Sequence, residues 1–380
     1  MDFTLQKTIT FLIFIGIGML MKLKFKSKEE INGIKKIILN LALPATIGIA
    51  LLGVKIDTGL LVLPLVALGL NLLLYLAFPY LTSFTGLEKD TPQYRTARLL
   101  IPSLAPGLSC FPFILEFLGD AYLAKAAMAD LGNKVFVLII LYLIAMSWHY
   151  KLQAKDVRKT SSKVKSLLKS MVSEPVNIFI GVALVLVTLG ISMDSLPFVI
   201  SDSLQRLSVM MTPLVLLFIG LAVNIKKKQF AQLISILFLR AAFVTFVCSI
   251  VIALGGISVT NDILIFLAFG LSACSFWPFA HISVVEVQED GVSKKKRTFD
   301  SNFAVSLLAL SFPLSTMLIL GILSSGSLFS SAGSVLTLSG VLFTLGLVPF
   351  LMKKIAESRK RSEKAKLERI RYRTALTDNS

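Results

Sequence analysis

Residues 99–119 read LLIPSLAPGLSCFPFILEFLG. The run is apolar enough for a bilayer, yet Pro102, Pro106, Gly107 and Pro112 interrupt it. A hydrocarbon core of roughly 30 Å takes about 20 apolar residues as helix. Proline removes a backbone donor and clashes with the preceding turn, so this segment frees polar backbone where lipid cannot satisfy it. Such backbone must face protein or a water-filled cavity. A second stretch has the same character: Gly270 and Pro278 interrupt an apolar run at 261–285, and Ser275-Phe276-Trp277-Pro278-Phe279 parallels Ser109-Cys110-Phe111-Pro112-Phe113.

Working outward from these two runs, the whole chain is apolar. Of 380 residues, 55% are hydrophobic and 16% charged, with mean hydropathy +0.80, against about 25% charged in a soluble domain. Eleven spans are expected, at 5–21, 33–53, 59–84, 99–119, 123–148, 175–193, 201–224, 230–254, 261–285, 303–325 and 331–352. The first has only Lys7 before it and lysines after it, and lacks a small-residue cleavage site, so it reads as a retained span rather than a signal peptide. Basic residues favour cytoplasmic loops. Alternate connections hold 33 of the 39 Lys and Arg residues, which predicts an N-terminus outside, a cytoplasmic C-terminus and a multi-pass protein of the cell inner or plasma membrane. The net charge of +17 is spread over every one of those loops, which argues against a nucleic-acid partner. The tail from Lys353 to Arg373 reads as a solvated helix against anionic headgroups.

Soluble-type catalysis has no visible machinery. Cys110, Cys248 and Cys274 read as packing residues. His149 and His281 have no partner at metal-ligand spacing. No phosphate-cradling loop or nucleophile elbow is present. Neither an enzyme nor a cofactor is expected.

An internal repeat orders the chain. Ile13-Phe14-Ile15-Gly16 recurs as Ile178-Phe179-Ile180-Gly181, an offset of 165 residues. Pro44 answers to Pro213, Asn71 to Arg240, the Pro112 stretch to the Pro278 stretch, and Asp130 with Asn133 to Asp300 with Asn302. Each half holds five spans, an odd number, so the second half enters the membrane inverted. The expected division is 1–148 for the first repeat, 149–174 for a basic cytoplasmic linker, 175–325 for the inverted repeat, 326–352 for an extra span and 353–380 for the tail. The fold class is an all-α polytopic membrane protein whose broken fourth and ninth spans cross. Inverted repeats are typical of secondary transporters with a site near the midplane.

Candidate residues follow from the breaks. Half-helix N-termini attract anions, and Ser109 and Ser275 would add hydroxyls. Ionisable groups inside spans usually face the interior. Arg240 reads equally as the partner of a carboxylate such as Glu116 or as a substrate ligand. Asp130 and Asp300, near expected helix starts, read as N-terminal caps or as ion-coupling groups, and Asn71 as an interhelical hydrogen-bonding group.

These residues resemble the auxin efflux carrier family of permeases, within the superfamily of bile-acid symporters and sodium/proton antiporters. The resemblance rests on Leu43-Pro44-Ala45 after a basic loop, Phe111-Pro112, Ala129-Asp130 with Asn133, Glu174-Pro175-Val176-Asn177 with Gly181, Leu196-Pro197, Thr212-Pro213-Leu214 with Gly220, and Arg240, over residues 5–325. It implies a scaffold of first, second, sixth and seventh helices, a moving domain of the others, and elevator-type transport of a small organic anion such as a carboxylate. The implied substrate site holds Ser109, Cys110, Pro112, Ser275, Trp277, Pro278, Asn71 and Arg240. The implied ion-coupling site holds Asp130, Asn133, Asp300 and Asn302, with a proton or sodium as the coupling ion. Lipid and a second copy of the chain complete the expected partners. The sequence departs from the family in lacking an asparagine within 103–109, in the bulk of Phe276-Trp277 and in its eleventh span. Two other readings stand beside this one: a sodium-coupled symporter for larger amphipathic anions, and a non-transporting ligand sensor signalling through its tail.

Overall fold

The computed structural model describes residues 3–25, 27–53, 58–153, 169, 173, 175–222, 230–289, 291–293, 296–352 and 355. Nearly all of the expected basic linker and tail, and the basic run 226–228, lie outside the described residues. Among the described residues every regular element is a helix, and each of the eleven expected spans contains helix. Among the described residues seven helices are long and apolar enough to cross a membrane: Glu29–Leu52, Gly59–Phe84, Asp120–Leu152, Phe198–Leu221, Phe230–Gly255, Ser301–Ser324 and Ala332–Met352. The first and sixth spans, Phe3–Met21 and Pro175–Thr188, add shorter apolar helix.

The fourth and ninth spans are not continuous. The fourth runs as Pro92–Leu100, unwinds, and resumes as Pro106–Ser109 and Phe111–Leu118. The ninth runs as Thr260–Gly270, unwinds, and resumes as Trp277–Gln288. Pro106, Pro112 and Pro278 each lie in the first two positions of a resumed helix. There the missing N–H costs nothing, because that donor has no intrahelical partner anyway. The prolines therefore begin the second halves of these spans as much as they end the first.

Elsewhere proline is absorbed without a break. A π turn over Ile38–Ala42 lies just ahead of Pro44. Proline crowds the carbonyl four residues back and cannot donate to it, and the widened turn accommodates both effects.

Packing pairs the spans. The first lies on the seventh, the second on the sixth, and the third on the fifth. Close approach depends on small residues. A β-carbon on Gly18 would lie 2.3 Å from the Leu217 carbonyl oxygen, and one on Gly220 2.2 Å from that of Ile15. Gly132 likewise lets the fifth span lie on the backbone of Pro64 in the third. Close helix contact through small residues is a mode of association where lipid offers no hydrophobic drive.

Two apolar clusters fill the interior. One gathers Phe111, Phe113, Leu264 and Leu267, and the other Leu99, Leu100, Ile282 and Val285. Each broken span contributes one half to each cluster, so both breaks lie where the clusters meet. Large apolar side chains cover the outside, among them Leu20, Leu65, Phe198 and Leu254, as a lipid-facing surface requires and an aqueous one rarely tolerates.

Candidate functional site

The two unwound segments touch. Ala105 N–H donates to the Ala273 carbonyl at 2.8 Å, Ala273 N–H donates to Ser109 Oγ at 2.9 Å, and Ser275 N–H donates to Ser103 Oγ at 2.9 Å. Part of the backbone freed by each break is thus satisfied from the opposite break, as buried polar groups require. Ser109 Oγ also donates to the Ala105 carbonyl at 2.8 Å. Its hydroxyl is engaged on both sides, and Ser109 is fully buried. Ser275 Oγ accepts from Trp277 N–H at 3.3 Å, just ahead of the resumed helix. Cys110, Pro112 and Pro278 are buried, Trp277 is half-buried, and Phe276 is half exposed.

Arg240 binds the breaks together. Its Nε donates to the Ile101 carbonyl at 2.8 Å, and one Nη donates to those of Ser103 at 3.2 Å and Ser272 at 2.9 Å. Ile101 and Ser272 follow the C-terminal ends of Pro92–Leu100 and Thr260–Gly270, where helix dipoles concentrate partial negative charge. Two such ends offset the cost of burying the guanidinium. The expected alternatives were a carboxylate partner and a substrate. Among the described residues no carboxylate pairs with Arg240, and its hydrogen bonds go to backbone carbonyls.

Each break is also held by one polar side chain of the span that follows it. Asn133 Nδ2 donates to the Leu104 carbonyl at 2.9 Å, and its Oδ1 accepts from Leu104 N–H at 3.2 Å. Ser311 Oγ accepts from Cys274 N–H at 3.1 Å. Asn133 further receives Asn71 Nδ2 at 3.0 Å and donates to Asp130 Oδ1 at 2.8 Å. Lys134 Nζ lies 3.5 Å from Asp130 Oδ2 and donates to Asn177 Oδ1 at 2.8 Å. Asn71, Asp130, Asn133 and Lys134 are all buried. Asn71 Oδ1 is buried with no hydrogen-bond partner.

Two expectations need correcting. Asp130 does not open the fifth span, whose helix begins at Asp120 and carries Asp130 in its interior. Asp300 does cap the tenth span, accepting from Phe303 N–H at 3.0 Å while Gln93 Nε2 donates to its other oxygen at 2.7 Å. The expected match of Asp130 with Asp300 therefore joins unlike positions. Asn302, matched with the buried Asn133, is exposed. The physical reason is the connection. A single turn at Gly119 separates the fourth span from the fifth, whereas residues 289–300 separate the ninth from the tenth. A constant offset cannot survive that difference, and it hid Ser311 as the residue that holds the second break. Ser103, Lys134 and Asn177 were missed too. Serine and asparagine are common between membrane helices, and Lys134 resembles an edge lysine until Asp130 is known to lie one turn before it.

Beside the breaks, Lys35 of the second span places its Nζ 4.5 Å from the centre of the Phe276 ring. Between the third, fifth, eighth and ninth spans lies an apolar cavity of about 450 Å³, lined by Leu63, Ala129, Val247 and Phe269 among others. Its ionisable groups are Lys125 and Asp262, paired at 2.7 Å.

No model of a known protein family matches the chain, and no curated protein matches it.

Proposed function

We propose that the chain is a secondary carrier of a small organic anion with elevator-type alternating access, built as two inverted repeats like those of the auxin efflux carrier family. The observation that carries this reading is the pair of proline-started half-helices whose unwound approaches bond to each other between two apolar layers. Irregular backbone at membrane depth is tolerated only where it is buried in protein or lines a cavity, and transporters place their sites there. The pairing of the first span with the seventh and the second with the sixth agrees with a scaffold separate from the remaining spans. The buried Asp130, with Asn71 and Asn133 beside it, is the proposed site of a coupling proton or sodium. The Lys134–Asn177 bond then joins the moving part to the scaffold, and sliding would break it.

Purified protein in liposomes is expected to take up or exchange at least one member of a panel of mono- and dicarboxylates. Pro112→Ala and Pro278→Ala should each lower that flux by at least about tenfold, since a misplaced site costs on that order or more. No flux with any anion, together with unchanged binding in both variants, would sink the proposal.

A second reading has its own support in the apolar cavity beside Lys125 and Asp262, whose size suits a larger amphipathic anion carried with sodium. Binding that strengthens with sodium, and is lost when Ala129→Trp fills the cavity, would favour it over the first.

A further inference from the structure

The second span faces both breaks. A β-carbon on Gly107, in the short helix that resumes after the first break, would lie 3.0 Å from Leu43 Cδ2, and Lys35 reaches Phe276 in the second break. These two residues of the second span are about 12 Å apart along a helix axis. One face of this span therefore runs from the second unwound segment to the helix that resumes after the first, with the cation at one end.

Among the described residues, Arg98 in the last turn before the first break stacks on the rings of Tyr75 and Trp148, and three further cations stand at or next to the breaks. Arg240 is committed to three backbone carbonyls. Lys134 is paired with Asp130 and bonded to Asn177. Lys35 has an aromatic face and neither a carboxylate nor a hydrogen-bond acceptor at its ammonium. An ammonium carries three donors, and a ring face satisfies none of them as a carboxylate would. Phe276 is 52% exposed and touches Phe279 with ring centroids 5.1 Å apart, which leaves half its surface open beside the charge.

Resting on the carrier reading above, we infer that Lys35 takes the carboxylate of the carried anion while the open face of Phe276 receives its apolar body. A single ammonium beside the Phe276 ring then makes the site selective for monoanions over dianions, whose second charge would meet no partner there. Lys35 belongs to the span expected to stay fixed and Phe276 to a span expected to move, so the anion would bridge the two in this state.

The test uses the detergent-purified full chain, with phenylacetate, its neutral amide phenylacetamide, acetate and succinate as probes. Phenylacetate is expected to bind more tightly than succinate. In Lys35→Gln its Kd should rise roughly 10- to 100-fold, the range for one lost hydrogen bond to a charged group. Lys35→Arg should stay within a few-fold of the parent. Lys36→Gln, an exposed neighbour, should change nothing. Phenylacetamide should bind weakly and equally to parent and Lys35→Gln. Phe276→Leu, which leaves the cation untouched, should weaken phenylacetate more than acetate.

An unchanged phenylacetate Kd in Lys35→Gln would overturn the inference and leave the carrier reading standing. So would an equal loss of acid and amide, the mark of a structural role, or a preference for succinate. If the parent binds or carries no carboxylate at all, the carrier reading fails and takes this one with it.

Discussion

Asn133 is the residue on which most of the buried polar structure converges. Its amide satisfies both the N–H and the carbonyl of Leu104, receives Asn71 and donates to Asp130. Asn133→Leu would leave both Leu104 backbone groups without their side-chain partner at a buried position. Each such group costs about 1–3 kcal/mol, so a loss of about 2–5 kcal/mol is expected, read as a lower unfolding temperature in detergent. Asn133→Asp is not equivalent, since a carboxylate cannot donate to the Leu104 carbonyl. Arg240 makes a second case. Arg240→Met keeps much of the volume but removes donors from three carbonyls at two helix ends, and a destabilisation of about 3 kcal/mol or more is expected. If Arg240→Met instead left stability intact and abolished anion binding alone, the guanidinium would be a ligand and not a clamp.

At the scale of elements, close contacts and connections decide the packing. Gly220→Val would drive a branched side chain into the backbone of the first span near Ile15, where a β-carbon already falls at 2.2 Å. Overpacking of this kind costs about 1–3 kcal/mol, and disulfide trapping between the first and seventh spans should fall in parallel. The connection after the ninth span is held by charge. Glu289 is buried against His149 and Thr298: Nδ1 of His149 lies 2.8 Å from Oε1, Thr298 N–H donates to Oε2 at 2.9 Å, and the Thr298 hydroxyl donates to Oε1. Burial alone would raise the carboxyl pKa, but the hydrogen bonds from Thr298 and His149 outweigh it and leave the pKa below the ordinary carboxylate value. A depressed folded-state pKa contributes stability that is present above the unfolded value and lost as pH falls through the folded one. Protection of the Thr298 amide from exchange, taken relative to its intrinsic rate at each pH, should therefore be high at neutral pH and be lost as pH falls through the depressed pKa of Glu289. Glu289→Gln should remove that pH dependence.

For the whole molecule, the orientation expected from the basic loops is open to direct test. Cys110, Cys248 and Cys274 are all buried, so the native thiols give little background. In intact cells, a cysteine at Ser192, after the sixth span, should react with a membrane-impermeant maleimide, and one at Ser293, after the ninth, should react only once the membrane is opened. The reverse result would invert the topology.

Much of this architecture was legible as a string of residues. The spans were, because a bilayer imposes length and apolarity on each segment separately, and those are properties of a window of sequence. The two breaks were also legible, at Pro112 and Pro278, because proline acts on its own backbone and the turn before it. The partners of the freed groups were not. That Ser103 meets Ser275, that Ser311 holds Cys274, that Arg240 spends its donors on carbonyls and that Asp130 lies inside a helix all depend on which segments lie side by side. Hydrogen bonds form across space between residues up to 172 apart in the chain, and loops of unequal length shift one half against the other. The sequence by itself determined a helical membrane protein with two interrupted spans, since those consequences are local. Only the tertiary structure decided what stands at the interruptions, since a buried polar group takes whatever partner the packing brings to it.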